Sequence, residues 1–218
     1  MTEVHEKSDV AENRGNVYGL LATVFSQEIS SDFLLQIKDP RFLGVLSGLG
    51  VEFNGIFFEK PDDDLLEDLA VEFTRLFLGP GKHISPHESI HHERNDGQWG
   101  TLWGQSTVDV KKFIESAGLG YKSEYKGLPD HISVELEFMQ QVARAEAQAW
   151  EDEDTDKALY CLKIEKKFIE EHLACWIPVF CEKVIQQAEL PFYRELAGLT
   201  RKFIEFEREE LGKEALQG

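Results

Sequence analysis

Apolar side chains recur at helical spacing along most of the chain. From Val10 to Phe25, and again from Asp64 to Leu78, they stand at intervals of three and four residues, which is the spacing of one face of an amphipathic helix. No segment shows a sustained period-two alternation of apolar and polar residues. The pattern therefore predicts an all-α protein, a globular bundle of roughly 9–11 helices. Two further helices are expected before residue 50, and others over about 106–117, from Pro129 to about 150, and over about 155–173, 175–189 and 191–211.

Loop signals separate these helices. The stretch from residue 48 to residue 64 mixes glycines, aromatic residues and a Pro-Asp pair, and Gly79-Pro80-Gly81 ends the helix before it. Residues 79–103 have no periodicity and contain four histidines, and loops of that length are usually functional or disordered. We expect one domain over residues 1–218, which can be divided into an N-terminal half 1–118 and a C-terminal half 129–218 joined by a loop 119–128. The acidic run 151–156 is interpreted as a solvated link with N-capping carboxylates.

The charge and composition exclude several classes of protein. The chain has 23 lysines and arginines against 41 aspartates and glutamates, a net charge of −18, which disfavours nucleic-acid binding because phosphate contacts need clustered cations. No apolar run approaches the roughly 18 residues of a membrane span, and the N-terminus lacks the pattern of a secretory signal. We expect a cytoplasmic protein without stable membrane insertion, whose three cysteines are reduced and buried.

The segment from His87 to His91 matches H-E-x-x-H, the pattern in which two histidines one turn apart bind zinc and the glutamate activates water. That chemistry needs a stable helix and a third ligand. Here Pro86 precedes the motif and its flanks resemble loops, although His83, His92 and Glu93 could complete a ligand set. A zinc hydrolase is therefore kept as an alternative. We assign no catalytic residue, no metal ligand and no cofactor.

Two other features admit more than one interpretation. Asp130-His131 could be a carboxylate orienting a histidine base, or a capping aspartate followed by a first-turn histidine. The aromatic and apolar residues near the central loop either pack on the core or line a groove for an apolar peptide; they are Phe77, Leu78, Trp99 and Trp103. Acidic residues stand close to them in sequence, namely Glu72, Glu88 and Glu93. A groove with an acidic rim would suit a peptide that carries basic residues beside an apolar stretch.

Several short blocks follow one another in a fixed order between residues 70 and 195. They are Phe73-Thr-Arg-Leu-Phe-Leu-Gly-Pro80, Pro86 with Glu88-Ser89-Ile90, Trp103-Gly-Gln-Ser-Thr107, Leu128-Pro-Asp-His-Ile132 with Glu135-Leu136 and Phe138-Met139, His172 with Trp176, Pro178 and Phe180, and Pro191-Phe-Tyr-Arg194. The blocks cover more than half of the chain, and their combination is specific although each block alone is not. In this order they resemble the TorD/DmsD family of cytoplasmic chaperones for twin-arginine-exported molybdoenzymes.

The resemblance implies a non-enzymatic helical chaperone. Its partners would be the twin-arginine signal peptide and the apoprotein of a molybdopterin-dependent oxidoreductase, and it would aid cofactor insertion and prevent premature export. An alternative, found among the more distant nitrate-reductase relatives, is an assembly chaperone that does not read a signal peptide. Under either interpretation the protein is expected to be a monomer or a homodimer.

The resemblance also places a peptide site, in which Asp130 and Glu135 are candidate partners for arginine. Phe77, Leu78, Trp103 and Phe138 are candidate apolar contacts. The segment from His87 to His91 departs from the family, where aromatic or small residues are common, so a more polar groove is expected and the zinc interpretation is weakened. Carried over by position, one side of the site is Arg75, Phe77, Leu78, Pro80, Pro86, Glu88, Ser89 and His91, and the other is Trp103, Asp130, His131 and Glu135.

Overall fold

The computed structural model describes residues 3–92, 100–118 and 125–214, so the predictions that involve Glu93, Trp99 and most of the loop 119–128 lie outside the described residues. All regular secondary structure in these ranges is helical, which confirms the all-α prediction and its number of helices. The ten α-helices are α1 (Glu3–Ser26), α2 (Ser31–Lys38), α3 (Pro40–Gly48), α4 (Gly55–Glu59), α5 (Asp62–Phe73), α6 (Gln105–Ser116), α7 (Ile132–Glu151), α8 (Thr155–Phe168), α9 (Ala174–Gln187) and α10 (Pro191–Glu214).

Short polar side chains fix several helix starts. Ser30 accepts a hydrogen bond from the Phe33 N–H at the start of α2, and Asp39 accepts from the Arg41 N–H at the start of α3. Asp154 caps α8 by accepting from the Lys157 N–H, which confirms the predicted capping carboxylate in the acidic run. Each of these bonds satisfies an amide that has no partner within its own helix.

Two boundaries differ from the sequence-based prediction. The stretch interpreted as a loop before residue 64 contains the short helix α4. Helix α7 begins at Ile132 rather than at Pro129, because the Nδ1 atom of His131 accepts the Ser133 N–H and acts as the N-cap. The interpretation of Asp130 as the cap was therefore wrong.

Two helices pass into π-helical turns. Helix α5 continues as a π-helical turn over Thr74–Leu78, and α8 continues through another over Ile169–Leu173 into α9. The predicted break between residues 173 and 175 is thus a change of helical geometry, with Pro178 inside α9. Proline lacks the N–H of a regular helix, and irregular turns accommodate such positions. Such turns are frequent at functional sites.

The chain forms two compact units, each drawn from distant parts of the sequence. The first comprises residues 1–26, 87–177 and 204–218, and the second comprises residues 27–86 and 178–203. In the first unit α1 packs along α7, and α7 packs on α8. In the second unit α2 packs against α3 and α5. The division into halves 1–118 and 129–218 stays a prediction.

Each unit has its own aromatic core. In the first unit the rings of Phe113, Phe138 and Phe168 lie within 6.2 Å of one another between centroids. In the second unit the ring of Phe77 lies 6.0 Å from those of Phe180 and Tyr193. Burial of such rings away from water is a major favourable term in folding.

A buried ion cluster lies inside the first unit. The Arg14 guanidinium donates to Glu146 at 2.9 Å, to Glu207 at 2.8 Å, and also to Glu165. Burial opposes the charge on Arg14, but the carboxylates of Glu165 and Glu207 outweigh it and raise the pKa of Arg14. Burial raises the pKa of Glu165 to about 8 despite Arg14. Burial in the cluster therefore favours the protonated form of Glu165 over the charged form.

The cysteines form no disulfide within the described ranges. Cys161 and Cys181 are buried, as predicted, whereas Cys175 is exposed. The described helices also include none that is long and apolar enough to cross a membrane.

Candidate functional site

The predicted site residues are divided between the two units. Five of them belong to the second unit, namely Arg75, Phe77, Leu78, Pro80 and Pro86. The other eight belong to the first unit, namely Glu88, Ser89, His91, Trp103, Asp130, His131, Glu135 and Phe138.

In the second unit Arg75 acts together with Glu72, a residue that the sequence placed near the site without a role. Arg75 Nε donates to Glu72 Oε2 at 2.8 Å, and Arg75 Nη2 donates to the Gln187 carbonyl at 2.8 Å. Glu72 Oε1 accepts the N–H groups of Glu189 at 2.6 Å and Leu190 at 3.2 Å. The pair therefore links the end of α5 to the connection between α9 and α10, which is a structural role.

The apolar residues after α5 differ in exposure. Phe77 is buried in the core of its unit, so it does not offer a surface to a ligand. Leu78 is 63% exposed and Pro80 is also exposed. The Ile84 N–H donates to the Leu76 carbonyl at 2.7 Å, which folds the loop back on the π-helical turn. Pro86 is buried.

In the first unit the segment after Pro86 pairs with the start of α7. His87 and His131 form an antiparallel β-bridge. The Glu88 N–H donates to the Asp130 carbonyl at 2.9 Å, and the Ser89 N–H donates to Asp130 Oδ2 at 3.0 Å. Asp130 is fully buried, so its side chain holds the two segments together and is not accessible to a peptide arginine.

Glu88 is the centre of a buried hydrogen-bond network. Its Oε1 atom lies 3.0 Å from His92 Nε2, and its Oε2 atom lies 3.0 Å from His172 Nδ1. Burial raises the pKa of Glu88, but the hydrogen bonds from His172 and His92 outweigh it and leave that pKa below its usual value. The carboxylate is thus ionised and joins residues 87–92 to the π-helical turn over Ile169–Leu173.

Glu135 lies in the same network and is fully buried. Burial, with the charge of Glu88 as the next cause, raises its pKa well above the usual value, and the Trp176 Nε1–H donates to its Oε2 atom at 3.1 Å. A carboxyl group without solvent access is not available to an arginine of a bound peptide. The structure therefore gives Glu135 an internal role. Phe138, also predicted as a contact, is a core residue of the first unit.

The histidines of this region are packed rather than catalytic. Burial, with His87 as a further cause, lowers the pKa of His131 to about 3. His131 is therefore a neutral capping group with no role as a base. His91 is buried and its ring stacks on Trp176 at 5.4 Å between centroids.

The zinc-hydrolase alternative is wrong. The H-E-x-x-H residues form a 3₁₀ turn over Glu88–Ile90, and His87 has extended backbone, so the two histidines do not lie one helical turn apart as the chemistry requires. His87 faces His131 and His91 faces Trp176. In the part of the chain that the structure describes, no group of three or more His, Cys, Asp or Glu residues could hold a metal ion.

The first unit also has an apolar groove of about 630 Å³ beside α6. Trp103 stands at this groove, is 77% exposed, and has a positive φ of 65°. A bulky residue in that conformation is strained, and such strain is concentrated at functional sites. The groove is lined by Trp103, Thr107, Val108, Lys111, Lys112, Ile114, Glu115, Tyr125, Gly127, Pro129 and Val134.

Sequence reasoning named Trp103 as a candidate apolar contact, but it missed the residues of α6 that line the groove with it. Thr107, Val108, Lys111, Lys112 and Glu115 repeat at intervals of three and four, so they share one helical face. That spacing could have indicated a common surface. Which face of α6 remains uncovered depends on its packing, which the spacing does not reveal.

The ion pair between His92 and Glu88 predicts a pH-dependent contribution to stability. The hydrogen bond to Glu88 raises the pKa of His92 above 6.5, so the stabilisation is fully present below about pH 6.5 and is lost as the pH rises through the raised pKa. We expect the wild type to have a higher free energy of unfolding than His92→Gln, and we expect this difference to be larger at about pH 6 than at about pH 9. The change should be below about 1 kcal/mol, because the His92 side chain is 36% exposed.

Urea unfolding at both pH values measures this difference, and His5→Gln on α1 serves as the exposed control. Equal differences between wild type and His92→Gln at the two pH values would contradict the assignment.

Comparisons with known proteins agree with the fold and with the blocks of the sequence. A family model described as "Nitrate reductase delta subunit" matches residues 46–182. A chaperone protein TorD from Photobacterium profundum is 25% identical over 207 residues, which cover 90% of this chain and 93% of that protein. Another TorD, from Shewanella loihica, is 27% identical over 210 residues, with coverage of 91% and 93%. A crystal structure of a proposed redox enzyme maturation protein from Archaeoglobus fulgidus shares the fold, with a TM-score of 0.50, 22% identity and coverage of 88% and 93%.

The relatives named as chaperones place the chain in a class of chaperones rather than enzymes, in agreement with the non-enzymatic prediction. The chain belongs to the nitrate reductase delta subunit family, and the curated relatives that it resembles over most of its length are TorD chaperones. The family assignment made from the sequence blocks is thus confirmed.

Proposed function

We propose that the protein is a cytoplasmic chaperone that binds the twin-arginine signal peptide and the apoprotein of a molybdenum-containing oxidoreductase, aids cofactor insertion and prevents premature export. The observation that carries this proposal is the apolar groove beside α6, with the exposed Trp103 at it. A contiguous exposed apolar surface on a folded protein more often marks a binding site than a surface without a binding role. A signal peptide has an apolar, helix-forming stretch that would bury this surface.

The forces available at the groove are those of peptide recognition. Apolar burial contributes about 25 cal/mol per Å², less the cost of ordering the peptide. The net charge of −18 attracts a basic peptide during encounter, but beyond about 8 Å it is screened at physiological salt. Affinity in this proposal comes from the groove, and the overall charge increases the association rate.

The exposed members of the predicted site are the candidates for direct contact. The candidate in the first unit is Trp103, and the candidates in the second unit are Arg75, Leu78 and Pro80. Asp130 and Glu135 support the proposal indirectly, because they hold the segment 87–92 and the start of α7 in place. Replacement of either residue would affect binding through the fold.

Capture of the client from native cell extract tests the function. The tagged full chain is used as bait, and mass spectrometry reads the N-terminus of each captured protein. We expect a molybdoenzyme precursor with an uncleaved twin-arginine signal, and we expect Trp103→Ala to recover less of it. Phe206→Ala, at an exposed position on α10, is the control for the loss of one exposed aromatic side chain away from the groove.

Two outcomes would contradict the proposal in different ways. A captured molybdoenzyme without such a signal would favour an assembly chaperone that does not read a signal peptide. Absence of any redox enzyme among the captured proteins would contradict the client class itself.

A further inference from the structure

The charge at the groove beside α6 is opposite in sign to that of the whole chain. Two adjacent lysines, Lys111 and Lys112, line the groove together with a single acidic residue, Glu115. Lys111 Nζ lies 3.8 Å from Glu115 Oε1, and both side chains are about two-thirds exposed, at 64% and 65%. Within the described ranges Lys112 has no ion-pair partner. The acidic rim expected from the sequence is therefore not found here.

Thr107, which lines the groove, carries a polar atom whose hydrogen-bonding capacity is unused. Thr107 is 3% exposed and its Oγ1 atom has no hydrogen-bond partner among the described residues. A buried hydroxyl without a partner is destabilising. A hydroxyl both donates and accepts, so a segment that enters beside Thr107 and uncovers this atom would bond it through a carbonyl, a carboxylate or an amide.

We propose that this groove binds an apolar segment of the client that carries carboxylate groups beside its apolar residues, and that Lys111 and Lys112 exclude arginine from it. This proposal rests on the proposed function, since it specifies which part of a client the groove takes. Carboxylates next to the two ammonium groups are attracted, whereas arginine side chains in the same place are repelled. Trp103, Val108 and Ile114 provide the apolar contacts.

In a twin-arginine signal the arginines precede the apolar stretch, so the groove takes the apolar part and the arginines lie outside it. A segment of about eight residues, about 12 Å long as a helix, matches the length of α6 from Thr107 to Glu115.

Binding of three model peptides to the full chain tests the charge preference. The peptides share a labelled apolar helical core and carry two glutamates, two glutamines or two arginines beside it, and fluorescence anisotropy measures Kd at low and high salt. We expect the glutamate peptide to bind about tenfold more tightly than the arginine peptide at low salt, with a smaller ratio at high salt. The double substitution Lys111→Glu with Lys112→Glu should reverse the order of affinities, so that the arginine peptide binds more tightly than the glutamate peptide.

Matched variants separate the groove from the overall charge. Lys157→Glu with Lys163→Glu makes the same change of net charge at two exposed positions on α8, and it should leave the order unchanged. Thr107→Val should weaken the binding of all three peptides by a similar factor, because the hydroxyl that it removes does not distinguish the charges of the peptides.

Several outcomes would overturn the proposal. The first is that the arginine peptide binds the wild type as tightly as the glutamate peptide or more tightly. The second is that Lys111→Glu with Lys112→Glu leaves the order of peptide affinities unchanged. The third is that none of the three peptides binds. The peptide-binding experiment and the client-capture experiment can also fail independently of each other. Capture of a twin-arginine precursor without a charge preference would refute this inference alone. A clear preference without capture of any redox enzyme would refute the proposed function and leave the inference standing.

Discussion

Arg14→Met should lower the free energy of unfolding by about 3–5 kcal/mol, because it removes the cation from a buried cluster of carboxyl groups. Arg14 binds Glu146, Glu165 and Glu207, whose side chains are at most 5% exposed. Methionine retains the apolar stem but leaves the carboxyl groups with no counter-charge in the cluster. Urea unfolding followed by circular dichroism measures the loss.

Arg41→Met is the matched control, because Arg41 is exposed on α3. It should change the free energy of unfolding by less than about 0.5 kcal/mol. A loss below about 1 kcal/mol for Arg14→Met would show that the cluster is not needed to hold the first unit together.

The pH dependence of the same cluster gives an independent test. Burial raises the pKa of Glu165 from 4.5 to about 8, so its contribution to stability is fully present below about pH 4.5 and is lost as the pH rises through about 8. Glutamine is neutral at every pH and has no such loss. Glu165→Gln should therefore gain thermal stability relative to wild type between about pH 6 and about pH 9. Parallel Tm curves for the two proteins would contradict the raised pKa.

Glu88→Ala should lower the free energy of unfolding by about 2–4 kcal/mol, because it removes the shared acceptor of two charge-assisted hydrogen bonds. His172 is buried, so its Nδ1 atom loses its bond to Glu88 in a place that water does not reach. Residues 87–92 would also lose their attachment to the π-helical turn over Ile169–Leu173. Urea unfolding near neutral pH measures the effect.

Glu88→Gln separates the loss of charge from the loss of an acceptor. Glutamine keeps one acceptor and the shape of the side chain, and it removes the negative charge that raises the pKa of Glu135. Its loss of stability should be smaller than that of Glu88→Ala. Glu171→Ala, at an exposed position of the same π-helical turn, should have little effect. Equal losses for Glu88→Ala and Glu171→Ala would contradict the role assigned to Glu88.

These networks explain why several predicted contact residues are buried. Asp130, Glu135 and Glu88 bond backbone amides, an indole and imidazoles. Arg75 also bonds the connection between α9 and α10, although it is exposed. The three buried carboxyl residues therefore shape the surroundings of the candidate site, while α6 and Trp103 provide the exposed surface in the first unit.

Local chemistry in the sequence determined the helices. The apolar spacing predicted α5 through Leu78, Gly79-Pro80-Gly81 marked its end, and Asp154 was recognised within a capping run, because helix formation and capping depend on residues within one or two turns. The same reasoning failed at α4 and at the start of α7. There a histidine, rather than the expected aspartate, became the cap, since Asp130 was held by the amide of Ser89.

The tertiary structure decided which residues are accessible and what charge surrounds them. Nothing local distinguishes a buried Glu135 from an exposed Glu115, or a core Phe77 from an exposed Leu78. Burial depends on contacts between residues that are far apart in the chain, such as the bond from Trp176 to Glu135. The sequence by itself determined the fold class and the family. The packing of α6 decided where the apolar groove lies and that lysines line it, because only packing determines which face of a helix stays in water.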